Sequence, residues 1–326
     1  MIAMSSRTVL VGIDEAGYGP ILGPLVVSAA AFDVPASAAE SCLWEMLKAS
    51  VSSTRSTRRS KIPILDSKKL FCRSNGLTKL ERSVLAVMTA WRGMPPSLHG
   101  LSRLVCPDLL VKMGEYPWYR DADPQLPREA EAGGVRLAGS LLRRDLDAHS
   151  IGCAGLWSEV LPERHYNRLV NSTQNKAVVL SGLTLRLMQR VADAHPDREL
   201  RFSIDKQGAR EAYGPLLLRA FEDRRLRVLE EGPEYSAYQL TGGRGCWRVS
   251  FSQGGESRHL LVALASLISK YIRELLMECF NTYWSSHVPE LKPTAGYYQD
   301  GLRFLKDIES HRRRLGIARE WLVRQR

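Results

Sequence analysis

Acidic residues stand at two places where apolar runs end. Asp14 and Glu15 follow the branched run at residues 8–13, and Asp205 follows the run at 200–204. A carboxylate beside a buried strand end is costly to desolvate unless it is paired or bound to metal, so these acids call for a partner. Strand alternation points Asp14 and Glu15 to opposite faces. They converge only if the chain departs from strand geometry at Glu15, which Ala16-Gly17 permits. A further candidate is the apolar stretch 258–284, in which Ser266, Lys270 and Glu274 are four residues apart and share one helical face. That stripe reads equally as the solvent side of the helix or as the wall of a site. The small neighbours Ala263, Ala265 and Ser269 argue for close packing on a sheet.

Several elements must position these groups. Residues 8–13 read as a buried strand, stopped by the glycines and proline of 14–20, and residues 25–32 read as a second strand completing a hairpin with a wide connection. The Ser-, Thr- and Arg-rich stretch 51–61 reads as a loop, or as a helix end with a flexible tail. Helical spacing appears over 77–91, and a long helical pattern covers 167–194 until Pro196 closes it. Between them, 92–164 is punctuated by prolines and reads as an insertion or subdomain with one helix at 135–149. Residues 200–204 form a short strand that delivers Asp205. Strands at 225–229 and 247–251 are separated by the glycine-rich turn 242–245, and helices follow at 258–284 and 302–315. The loose alternation after an initial hairpin predicts an α/β fold, a mixed central sheet flanked by helices, built as a single domain over 1–326 with 92–164 inserted.

Composition narrows the partners. The chain has 326 residues, with 46 Lys and Arg against 35 Asp and Glu, a net charge of +11. The excess suggests a polyanionic partner, nucleic acid before membrane. Apolar content of 44% excludes a predominantly disordered chain. No apolar run approaches a membrane span, and the first residues lack the apolar stretch of a signal peptide, so a cytoplasmic location is expected. The cysteines form no C-x-x-C pair and read as buried free thiols. The histidines form no metal-binding spacing. Nothing demands an oligomer, and a monomer is expected.

The order of the motifs is more specific. Gly12-Ile13-Asp14-Glu15-Ala16-Gly17-Tyr18-Gly19-Pro20-Ile21-Leu22-Gly23-Pro24 resembles the opening signature of the type 2 ribonucleases H, ribonuclease HII and ribonuclease HIII. Asp66-Ser67-Lys68-Lys69-Leu70 matches that family's next motif. Residues 175–188 are similar to its central helix, and Ser203-Ile204-Asp205 falls where it places a third acid. Residues 265–274 resemble its late helix signature, and Gly296-Tyr297 falls where a Gly-Tyr pair usually follows. The resemblance covers roughly 8–90 and 167–310 and leaves out 92–164.

This resemblance implies a ribonuclease H-like fold and hydrolysis of the RNA strand of an RNA/DNA hybrid with two divalent ions, Mg²⁺ or Mn²⁺. By that match Asp14, Glu15, Asp205 and Glu274 are the catalytic acids and metal ligands. Lys68 and Lys270 contact phosphates, supported by Ser266. Gly17, Tyr18 and Gly19 lie along the sugar–phosphate backbone, and Tyr297 stacks near the cleavage point. Clustered carboxylates without His or Cys suit hard cations. The chain departs from the family pattern at Tyr18, where ribonuclease HII usually carries Arg, at Glu274, where it carries Asp, and at Lys206-Gln207-Gly208, where Gly usually follows the third acid directly. A non-catalytic nucleic-acid-binding protein and a DNA-directed nuclease of the same fold are the alternative readings.

Overall fold

A computed structural model describes residues 7–54, 61–71, 76–208, 210–242 and 245–325. The first half of the described chain runs β1 (Arg7–Ala16), β2 (Leu25–Pro35), α1 (Leu43–Met46), β3 (Val51–Ser52), β4 (Ile62–Pro63), α2 (Ser67–Leu70), α3 (Thr78–Trp91), α4 (Leu98–Val105), α5 (Asp108–Met113) and α6 (Ala132–Ala148). It continues with β5 (Gly152–Leu161), α7 (Glu163–Thr173), α8 (Lys176–Ala194), β6 (Glu199–Asp205), α9 (Gly214–Ala220), β7 (Arg225–Glu231), β8 (Tyr235–Thr241) and β9 (Trp247–Ser252). The helices α10 (Gly255–Arg258), α11 (Leu260–His287) and α12 (Tyr298–Arg314) follow.

Among the described residues the central sheet has seven strands in the order β5-β2-β1-β6-β9-β8-β7. β1 pairs antiparallel with β2 and parallel with β6, and β6 pairs parallel with β9, so the sheet is mixed as expected. Alternation along β1 sends Val9, Val11 and Ile13 into one core with Leu180, Leu183 and Leu187 of α8. The opposite face packs α11, with α3 and α6 beyond it. The crossing of α11 over β1 depends on Gly12, where an added Cβ would sit 2.0 Å from the backbone carbon of Leu261. Contact this close brings Ser266 and Ser269 over the end of β1.

Several expectations need adjustment. β1 runs on to Ala16, and Asp14 and Glu15 remain in register with Ser28 and Val27, so the acids do not leave the strand. The range 92–164 ends in β5, an edge strand of the central sheet paired to β2, so only its earlier part stands outside the sheet. The long helix expected over 167–194 is two helices. Gln174 adopts a left-handed conformation at φ 53°, and the Asn175 side chain then caps α8 by accepting from the Ala177 N–H at 2.8 Å. β8 was not anticipated, and the glycine-rich turn joins β8 to β9; residues 243–244 of that turn lie outside the described residues, as do 55–60 of the expected loop and Cys72. Cys106 and Cys279 are buried free thiols as expected, whereas Cys42 is exposed. Among the described residues no helix is long and apolar enough to cross a membrane.

Candidate acidic site at the strand ends

β1 and β6 are parallel neighbours, so their C-terminal ends bring Asp14 and Glu15 to one edge of the sheet with Asp205. β9, parallel to β6, ends at Ser252 at the same edge, and the short turn beyond it opens α10 with Glu256. The Gly255 N–H donates to Asp205 Oδ1 at 2.7 Å, which ties the two strand ends together. α2 closes the group from the other side. Asp66 caps it by accepting from the Lys68 N–H at 2.8 Å, and the Ser67 N–H faces Glu256 Oε2 at 3.3 Å.

The electrostatics are those of acids held together against repulsion. Burial raises the Asp14 carboxyl well above the usual carboxylate range, and the charges of Glu15, Glu256 and Asp205 add to it. Burial, then Asp205 and Glu256, push Glu15 to about 7. Burial, then Asp66, push Glu256 to about 7, with Asp205 adding to the rise and Lys68 opposing it. Asp205 is raised by burial, opposed by the Gly255 N–H and Lys68. Lys68 is therefore the cation whose field reaches Glu15, Asp205 and Glu256.

Asp14 is 5% exposed and well braced. Its Oδ1 accepts from the Glu15 N–H at 2.8 Å, so the side chain lies back along its own strand. This explains how Asp14 and Glu15 come to share a field without leaving β1. Ser269 Oγ of α11 reaches the Asp14 carbonyl at 3.0 Å, and Ser266 lies against its carboxyl and 3.1 Å from Ser67 Oγ.

The remaining expected site residues fall in two groups. Ser266 and Lys68 adjoin the acids as described. Gly17, Tyr18 and Gly19 begin the turn after β1, with Gly17 at φ 89°, where an added Cβ would lie 2.6 Å from the Pro24 carbonyl oxygen. Lys176 Nζ stands 5.1 Å over the Tyr18 ring, and Arg210 also acts on that phenol. Tyr297 is 57% exposed beside this turn, because the Gly296 carbonyl accepts from the Ile21 and Leu22 N–H groups. Lys270 and Glu274 are different. They pair with each other at 2.6 Å, with the ammonium also over the Phe71 ring at 4.8 Å. Glu274 lies two turns of α11 past Ser266, about 12 Å along the axis. The acid that joins Asp14, Glu15 and Asp205 in one field is Glu256 rather than Glu274.

Glu256 escaped sequence reading although a signal was present. It follows strand 247–251 and Gly254-Gly255, the same placement of an acid after an apolar strand that marked Asp14 and Asp205.

The donor set is hard oxygen, with Lys68 as its nearby cation, and it would be relieved of repulsion by divalent cations. Among the described residues no three His, Cys, Asp or Glu side chains form a ready-made metal cage. The chemistry of the set fits such ions, and adjustment of the side chains would accompany their entry.

The chain matches no family model and no curated protein. It is similar to solved structures. One is ribonuclease HII of Archaeoglobus fulgidus in its complex with PCNA, at 15% identity and TM-score 0.42, covering 98% of this chain and 94% of that one. Another is Bst ribonuclease HIII with Mn²⁺, at 16% identity and TM-score 0.45, where 93% of this chain spans only 63% of that one. A third is ribonuclease H2 of Pyrococcus horikoshii, at 12% identity and TM-score 0.42, covering 97% and 92%.

Proposed function

We propose that the protein is a metal-dependent endoribonuclease that hydrolyses the RNA strand of RNA/DNA hybrids. The observation that carries this reading is the convergence of Asp14, Glu15, Asp205 and Glu256 at one sheet edge, with raised proton affinities and Lys68 beside them. The order of the sequence motifs supports it, and so does the net charge of +11.

In this reading Asp14, Glu15, Asp205 and Glu256 would hold Mg²⁺ or Mn²⁺. Bound there, two such ions would neutralise the carboxylates and supply activation of water for an in-line displacement at phosphorus. The chain's own residues do the rest. Asp14 is kept in place by Ser269 and by its own strand, so its carboxylate needs little reorganisation. Lys68 is placed by the Asp66 cap to meet a phosphate once the acids are neutralised. The turn at Gly17, Tyr18 and Gly19 offers main-chain groups to the sugar–phosphate backbone, where the 2′-OH separates RNA from DNA. Tyr297 presents an exposed ring for stacking. Lys270 and Glu274 act as a neighbouring ion pair that bounds the site.

The test is cleavage of labelled RNA/DNA, DNA/DNA and RNA/RNA duplexes of one sequence with Mg²⁺ and with Mn²⁺. Cutting confined to the RNA strand of the hybrid supports the reading. Cutting of the DNA duplex, or binding of the hybrid without cutting, replaces it with one of the two alternatives.

A further inference from the structure

The turn between β1 and β2 is an irregular loop whose second half is buried. Residues 20–24 are all buried. Buried main-chain groups need partners, and here no sheet supplies them. Two guanidinium groups do. Arg273, 2% exposed, donates to the carbonyls of Leu22 at 3.2 Å, Pro24 at 3.3 Å and Ala295 at 2.8 Å. Arg324, 3% exposed, donates through Nε to the Pro20 carbonyl at 3.1 Å and through Nη2 to the carbonyls of Gly17 and Pro20. Glu163, fully buried, supplies one opposing charge and accepts from the Gly23 N–H at 2.9 Å.

The segment that brings Arg324 here is itself specifically docked. The Arg324 N–H donates to the Ile21 carbonyl at 2.8 Å. The Asn167 side chain donates to the carbonyls of Glu320 and Val323 at 2.9 and 2.8 Å and accepts from the Gln325 N–H at 2.8 Å. The Arg324 guanidinium lies 4.8 Å over the Tyr166 ring.

We infer that Arg324 is a positioning residue for the substrate-facing turn. It holds the carbonyls of Gly17 and Pro20, which bracket Tyr18 and Gly19. The peptide unit is planar and trans, so drawing the Gly17 carbonyl inward to Arg324 turns the Tyr18 N–H the opposite way, outward. Arg324 thereby fixes which main-chain donor the turn presents to a sugar–phosphate backbone. The acids do not depend on it, because β1 pairing and Ser269 hold them. Loss of Arg324 therefore weakens grip on the nucleic acid more than it slows the chemical step. This inference rests on the proposed hybrid-cleaving function for its substrate, though not for its geometry.

The experiment compares the full chain with Arg324→Met, Arg324→Lys and Asn167→Leu. Steady-state cleavage of a labelled hybrid is measured together with amide hydrogen exchange across residues 7–35. Arg324→Met is expected to raise KM about tenfold, as loss of charged hydrogen bonds to two carbonyls would, with kcat within about twofold of the parent. Arg324→Lys should recover part of the KM. Asn167→Leu, which loosens the segment and keeps the guanidinium, should give a smaller rise and serves if Arg324→Met does not fold. Exchange should quicken over 17–24 and stay unchanged over 7–16. A lower melting temperature with KM and the exchange of 17–24 unchanged would reduce Arg324 to a structural residue and overturn the inference. If the parent cuts no hybrid, the proposed function fails by itself, and the exchange pattern alone decides whether Arg324 positions the turn.

Discussion

One buried acid, Glu81, and a cluster of four buried or half-buried acids lie on either side of α11, and they are built in opposite ways. Glu81 of α3 is fully buried, and its carboxylate accepts from the N–H groups of Arg128, Glu129 and Ala130 at 2.6–2.7 Å and from the Tyr271 hydroxyl at 2.7 Å. Every donor belongs to a segment that must be fastened, so this acid is a clamp between α3, α11 and the chain before α6. The group of Asp14, Glu15, Asp205 and Glu256 brings several like charges together, and burial raises the proton affinity of each. A carboxylate ringed by donors stabilises the fold, whereas carboxylates crowded by like charges hold repulsion that a cation can relieve. Burial alone does not separate Glu81 from the four acids; the like charges crowded together among the four do.

The contrast can be broken by substitution. Asp14→Asn should lower hybrid cleavage by about a thousandfold, since a lost metal ligand forfeits several kcal/mol of transition-state stabilisation. Its circular dichroism and melting temperature should stay near those of the parent. Glu81→Ala should do the reverse. It strands the buried Ala130 N–H and Tyr271 hydroxyl together with the N–H groups of Arg128 and Glu129, at a cost of about 3 kcal/mol or more, read by urea unfolding, while KM and kcat of the folded protein hold.

Protons give a smaller test of the same contrast. Glu15 and Glu256 titrate near 7 when folded, against an ordinary 4.5, so in the absence of divalent ions the folded state holds more protons across that interval. Stability should therefore fall as pH rises from about 4.5 to about 7, reversing the usual carboxylate trend. Mg²⁺ should restore several degrees of melting temperature at pH 8 and little at pH 5. A metal-free melting temperature that rises steadily over this range would contradict the assignment of shared charge. The smallest effect is expected at the turn. Lys176→Ala removes the cation over Tyr18 and should raise KM about threefold with kcat unchanged, the scale of one exposed cation–π contact, read in the same cleavage assay.

Much of this was legible from sequence because strands ending in acids carry a local signal. The runs before Asp14 and Asp205 were long and apolar enough to be read as strands, and the periodicity of 258–284 marked a helix lying on the sheet. β8 was hidden because Gly232-Pro233 and the glycines of 242–245 flank a short segment that carries Ser, Gln and Thr among its apolar residues. The break between α7 and α8 rests on a single left-handed residue, Gln174, which periodicity does not register. At the site, four-residue spacing correctly put Ser266, Lys270 and Glu274 on one face, yet a shared face extends along a helix. Ser266 reaches Asp14, whereas Glu274 lies far enough along to pair with Lys270. Glu256 depended on β6 and β9 being parallel neighbours, a pairing that sequence spacing does not reveal.

We propose Glu256 as the fourth acid of the site. The most direct test is cleavage of one labelled RNA/DNA hybrid by the parent, Glu256→Gln and Glu274→Gln proteins across a Mn²⁺ titration. Glu256→Gln should lose cleavage about as severely as Asp14→Asn, and Glu274→Gln should stay within a few-fold of the parent at the same Mn²⁺ midpoint. Near-normal cleavage by Glu256→Gln together with loss in Glu274→Gln would contradict the proposal.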